Sequence, residues 1–163
     1  MKKGGFTATE ILMATTIMTM VIAGSLSVFI AANRSWFSGD VQMRCAREVD
    51  MVLQKMTYGA VGSNGLRTAI FTNVAVAVTG AQWSVTYDTP DGGKYKFAFD
   101  PAMHVIQYYD LLLSNGAVTI GVNITTSTVT VVTNGLNIMV QVAVNDGRFG
   151  ATNEMATYIR YRN

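Results

Sequence analysis

The chain has 163 residues, with twelve Lys or Arg against ten Asp or Glu, for a formal net charge of +2. Hydrophobic residues make up 50% and charged residues 13%, against the ~25% charge of ordinary soluble domains, which excludes a disordered chain. No Lys/Arg-rich run offers a phosphate footprint, so no nucleic acid is expected as a partner. Cys45 and His104 are the sole cysteine and histidine, which rules out a disulfide within the chain and argues against zinc or Cys–His chemistry.

The charges are unevenly spread. Residues 11–33 carry none, and residues 111–145 carry none. The first gap belongs to a run from Phe6 to Ala32 rich in Ile, Leu, Met, Val, Ala and Phe, with Glu10 as its single charge. As a helix this run rises roughly 40 Å, enough to cross a ~30 Å hydrocarbon core. Lys2 and Lys3 precede it and Arg34 closes it, so the positive-inside rule predicts a cytoplasmic N-terminus. A secretory signal peptide would have a shorter apolar run. A plain anchor has the right length but leaves Glu10 unexplained, and an ionisable group in a membrane segment costs on the order of a few kcal/mol.

Lys2-Lys3-Gly4-Gly5 followed by Phe6-Thr7-Ala8-Thr9-Glu10-Ile11-Leu12 resembles the N-terminal cleavage and methylation signal of type IV prepilins and pseudopilins. The resemblance implies a leader at residues 1–5, cleaved after Gly5 by a prepilin peptidase, and N-methylation of the new Phe6 amine. It implies a transmembrane and filament-core helix at 6–33 and a periplasmic pilin-like head at 34–163. Its implied partners are other pilin or pseudopilin subunits, the peptidase, an inner-membrane assembly platform and membrane lipid. Glu10 lies one helical turn from Phe6 on the same face. In a filament core its carboxylate would pair with the Phe6 ammonium of a neighbouring subunit and set the axial register, since either charge left unpaired there costs several kcal/mol. The closest likeness is to minor pseudopilins and minor pilins. A disulfide-closed major pilin would have a cysteine pair, and the tip pseudopilin lacks the glutamate.

Gly24 and Ser25 interrupt the apolar run; they permit either a bend or close packing against a neighbouring helix. Beyond Arg34 the pattern becomes amphipathic. Val41, Cys45, Val49, Val52, Met56 and Ala60 recur at helical spacing, with charged residues largely on other faces. One long helix is predicted from Phe6 to about Tyr58, with Gly39-Asp40 as a weak point and Gly59, Gly62 and Gly65 as its stop. Cys45 falls on the apolar stripe and is expected to be an inert core thiol.

The remaining hundred or so residues read as β structure, with strands at 69–78, 82–87, 95–99, 104–109, 118–124, 128–133, 136–144 and 155–161. Asp91-Gly92, Asn115-Gly116, Asn134-Gly135 and Asp146-Gly147 supply turns, and the spacing suggests an antiparallel meander. The fold class is therefore α+β: a long helix packed on an antiparallel head. The hairpin around Asp91-Gly92-Gly93 and the closing run 156–163 also resemble those of minor pseudopilins.

No Ser–His–Asp arrangement, phosphate loop or metal-binding spacing is present. Asp88, Asp91 and Asp100 match no calcium loop and read as turn residues. No enzyme, cofactor or metal is expected. The competing reading is a bitopic protein whose periplasmic β-domain binds a ligand or partner without polymerising.

Overall fold

The computed structural model describes residues 7–60, 64–113 and 116–161. Gly5 and Phe6 therefore lie outside the described residues, as do Gly62, Asn115, Arg162 and Asn163 among the positions singled out above. The chain divides into two compact units, Met1–Gly39 and Asp40–Asn163. A single helix, α1 (Ala8–Tyr58), contributes to both. It is unbroken at Gly24-Ser25 and at Gly39-Asp40. Its stop is a glycine effect. Gly59 adopts φ +122°, and its N–H bonds to Lys55 O at 2.9 Å.

Within the second unit α1 buries Val41, Cys45, Val49, Val52, Leu53 and Met56. Two single 3₁₀ turns follow, Leu66–Thr68 and Phe71–Asn73. Then come eight strands: β1 (Ala75–Thr79), β2 (Gln82–Asp88), β3 (Lys94–Asp100), β4 (Val105–Asp110), β5 (Val118–Gly121), β6 (Ile124–Val132), β7 (Gly135–Asn145) and β8 (Gly150–Arg160). All described pairings are antiparallel. The α+β arrangement is the expected one. The strands, however, form two sheets rather than one meander, ordered β1-β2-β3-β4-β5 and β6-β7-β8.

Two local features account for the differences from the predicted strands. The stretch predicted as a strand from residue 69 begins instead with the second 3₁₀ turn, where Asn73 N–H bonds to Ile70 O and the Asn73 amide donates to Asp88 Oδ2. The strand predicted over 118–124 stops at Gly121, because Asn123 turns to φ +57° and Ile124 N–H bonds to His104 O. That turn ends one sheet and starts the other. It also lets β6 begin earlier than predicted, and β8 likewise starts earlier, at Gly150.

Alternation along the strands builds the core. Trp83, Val85 and Tyr87 of β2, Tyr95, Phe97 and Phe99 of β3, and Ile106 and Tyr108 of β4 are all buried. Tyr87 lies 5.8 Å from Phe97, and Phe97 lies 5.3 Å from Tyr108, in aromatic contacts worth more than their buried area alone. Leu136, Ile138, Val140 and Val142 of β7 join the same core. The helix touches both sheets: Cys45 donates its S–H to Val142 O at 3.0 Å, and Val52 lies against Gly121. Cys45 is buried, as expected. Arg44 ion-pairs with Asp40 on the next turn of the helix. Asp146, in the β7–β8 turn, is held below the usual carboxylate range by the N–H groups of Phe149 and Arg148, with a smaller contribution from Arg44.

Two tests follow from this core in a fragment beginning at Asp40. Gly135→Ala would drive a methyl into Ile159 O and the Tyr158 ring, whereas a methyl at Gly150 meets only ordinary contacts. Denaturant titration should show a loss of about 1–3 kcal/mol for Gly135→Ala and little change for Gly150→Ala. Equal effects would refute the packing at the start of β7. The second test is alkaline. Burial pushes Tyr108 and Tyr161 up to about 12, and Tyr87 higher still. The unfolded chain loses these protons near pH ~10 while the folded chain retains them. Their contribution is thus complete below about pH 10 and falls as pH rises toward 12. The denaturation midpoint should drop across that window, with part of the tyrosinate absorbance, that of the buried rings, appearing only as the protein unfolds.

Candidate functional site: the N-terminal apolar helix

The first unit is built from the exposed first half of α1. From Ile11 to Ile30 the large apolar side chains are 44–70% exposed. The most apolar 18-residue stretch has a mean hydropathy of 1.9 and none of it is buried. The helix is therefore long and apolar enough to cross a membrane.

The hydroxyls in this segment are closed on the helix itself. Thr15 and Thr16 donate to Leu12 O, Thr19 to Thr15 O and Thr16 O, Ser25 to Val21 O and Ser27 to Ala23 O, at 2.7–3.0 Å. In hydrocarbon an unsatisfied hydroxyl is costly, and these bonds remove that cost without a neighbour. The apolar pattern of the run carries no sign of these bonds, which depend on the i−3 and i−4 carbonyls. Gly24 has open space where a Cβ would stand.

Glu10 sits in the first turn, and its carboxylate is engaged. Oε2 accepts from Thr7 N–H and from the Thr7 hydroxyl, both at 2.8 Å, while Glu10 N–H points back at Thr7 Oγ1 at 3.4 Å. Thr7 O accepts the first helical bond, from Ile11 N–H at 3.2 Å. This is a capping box, with Thr7 as the N-cap and Glu10 three residues on. The pattern Thr7-Ala8-Thr9-Glu10 ahead of an apolar run is its sequence signature, a local use of Glu10 that the expected subunit register does not include. Glu10 thus has an intrachain function at the helix start. The processing positions Gly5 and Phe6, the latter also the expected methylation site, are outside the described residues.

The other candidates are turn and core residues. His104 adopts φ +56° and its Nδ1 lies 3.0 Å from Ile124 O. Asp100 accepts from the N–H groups of Ala102 and Met103. Among the described residues no three His, Cys, Asp or Glu side chains gather into a potential metal site. The architecture is pilin-like in outline: a long N-terminal helix followed by antiparallel sheets. Comparison with protein-family models, curated proteins and solved structures gave no match.

Removing the cap should loosen the helix start alone. Thr7→Val keeps the branched shape but loses the hydroxyl, at a cost of about 1 kcal/mol, or roughly fivefold faster exchange of the Ile11 amide. Hydrogen exchange in micelles reads this directly, and amides of the core strands should not change. Unaltered exchange at Ile11 would mean that the box contributes nothing.

Proposed function

We propose that the chain is a structural subunit of a type IV filament system, a pseudopilin or minor pilin of a pilus or of a type II secretion pseudopilus. On this reading it enters the inner membrane with a cytoplasmic N-terminus and a periplasmic head. A prepilin peptidase cleaves after Gly5, Phe6 is N-methylated, and the assembly platform moves the subunit from lipid into a filament. The observation that carries the reading is one carboxylate, Glu10, in the first turn of α1, whose first half is otherwise uncharged, apolar and exposed. The leader Lys2-Lys3-Gly4-Gly5-Phe6 preceding it and the packing of the same helix's second half into a β-rich head support it further. The subunit's role is structural, with no reaction of its own.

The capping box favours one second reading. Because Thr7 already occupies Glu10, the carboxylate has a use in a membrane-anchored β-domain that binds a ligand or partner and never polymerises.

One substitution separates the two. Glutamine serves in a capping box as glutamate does but has no charge to offer an ammonium. Glu10→Gln should keep helix start and membrane level, while its incorporation into sheared or cross-linked filaments, normalised to membrane level, should fall at least severalfold. Glu10→Leu should fall as far. Intact mass should show loss of residues 1–5 in all three proteins when prepilin peptidase is present, and Gly5→Val should block it. Full incorporation of Glu10→Gln would remove the register role. A chain left uncleaved in cells that assemble filaments would remove the subunit reading itself.

A further inference from the structure

Among the described residues, four strands, β1, β5, β6 and β8, have a strand partner on one side alone. The edges of β1 and β5 are short, with five and four residues. The edge strand β6 has no charged residue to choose a partner. The β8 edge differs in both respects, with eleven residues that include Glu154 and Arg160, and a hollow of about 770 Å³ lies against Thr157 to Tyr161, away from Glu154.

One side of this hollow is Thr157 to Tyr161; the other is the end of α1, at Tyr58, with Arg67 of the first 3₁₀ turn. The ladder shows which backbone groups β8 leaves over. Gly135 pairs with Arg160, and Tyr161 N–H bonds to Asn134 O at 3.1 Å. Tyr161, Ile159 and Thr157 therefore spend their backbone groups on β7. By the alternation of an antiparallel ladder, Tyr158 and Arg160 turn their N–H and C=O outward. These are the groups an added strand uses.

The charges along the hollow are of one sign. Among the described residues that line it, Arg67 and Arg160 carry the charge. Arg67 is steadied over the Tyr58 ring, 5.7 Å from its centroid, with its guanidinium 3.5 Å from the Tyr58 hydroxyl. The ion pair found among the described residues is Arg44 with Asp40, away from this edge. The Tyr158 hydroxyl is tied to Thr133 O at 3.1 Å, which holds its ring on the sheet face and off the edge. An edge with two cations among its lining residues suits an extended chain that brings carboxylates.

We infer that the β8 edge at Tyr158 and Arg160 is a docking site for an extended acidic segment of another polypeptide, added as a further antiparallel or parallel strand with its carboxylates on Arg67 and Arg160. The inference rests on the head alone and does not require the filament reading.

The test uses the full chain in phosphatidylcholine nanodiscs and an array of capped heptapeptides alternating Val, Ile or Thr with Glu, Asp, Lys or Asn. Peptides with Glu or Asp should retain the protein at least tenfold better than those with Lys. Arg67→Glu/Arg160→Glu should reverse that order, and the milder Arg67→Gln/Arg160→Gln should level it. N-methylation of one alternating set of nitrogens in the best peptide should abolish binding, and of the other set should leave it, because an added strand bonds through every second residue. This arm needs no protein variant. Equal retention of acidic and basic peptides, or equal effects of the two N-methyl sets, would overturn the inference. So would a single-stranded oligonucleotide that binds as tightly as the best peptide and competes with it, since that would assign the arginines to phosphate.

Discussion

An exposed apolar surface must be covered, and the covering cannot supply hydrogen bonds if it is lipid or another apolar helix. That constraint organises the first half of α1. From Ile11 to Ile30 the side chains offer hydrocarbon outward, and the polar atoms the sequence retains are paired inside the helix, with Thr16 on Leu12 O and Ser25 on Val21 O as examples. A helix that satisfied its hydroxyls through a partner would be confined to one environment. This one closes them itself and is equally suited to lipid or to a bundle of like helices. On the proposed function that independence is what allows a subunit to pass from membrane to filament without breaking a polar contact.

The second half of the same helix obeys the opposite rule. Its apolar residues narrow to a stripe, and the stripe serves as the wall common to both sheets. Cys45 meets β7 through Val142 O, while Val52 fits against β5 at Gly121. The glycine matters because a methyl there would strike Val52. Neither sheet covers its own inner face, and the aromatic rows of β2, β3 and β4 share a core with helix residues. The elements of the head therefore depend on one another for burial, as in other two-layer domains.

Much of this was legible from local pattern. The helix stripe from Val41 to Met56 follows a 3.6-residue period, and Tyr95-Lys96-Phe97-Ala98-Phe99 alternates as a half-buried strand must. What the sequence concealed was long-range. The division into two sheets turns on Asn123, whose left-handed backbone is accompanied by a bond from Ile124 N–H to His104 O, twenty residues away in sequence. No window around Asn123 contains that partner. The stretch after Ala69 misled for a related reason: Val, Ile and Phe there suggested a strand, but Asn73 is drawn into a turn by Asp88. At the candidate site the omission was of another kind. Thr7 and Glu10 have the spacing of a capping box, but a carboxylate in an apolar segment equally fits a partner outside the chain, and the spacing does not choose between them.

That local use changes the energetics proposed for Glu10. A carboxylate in an apolar segment is costly when bare, and the Thr7 N–H and hydroxyl supply two charge-assisted bonds before any neighbour arrives. The pairing energy of an incoming ammonium is correspondingly a difference, measured from a capped state rather than from an unsolvated charge. Both Thr7 donors converge on Oε2 and take up its lone pairs, and a carboxylate's other oxygen, Oε1, has two of its own. Cap and ion pair can therefore coexist, with Thr7 fixing where the carboxylate points. Register would then depend on the hydroxyl of Thr7 as well as on the charge of Glu10, because a carboxylate already held in one rotamer loses less entropy when the ammonium reaches it.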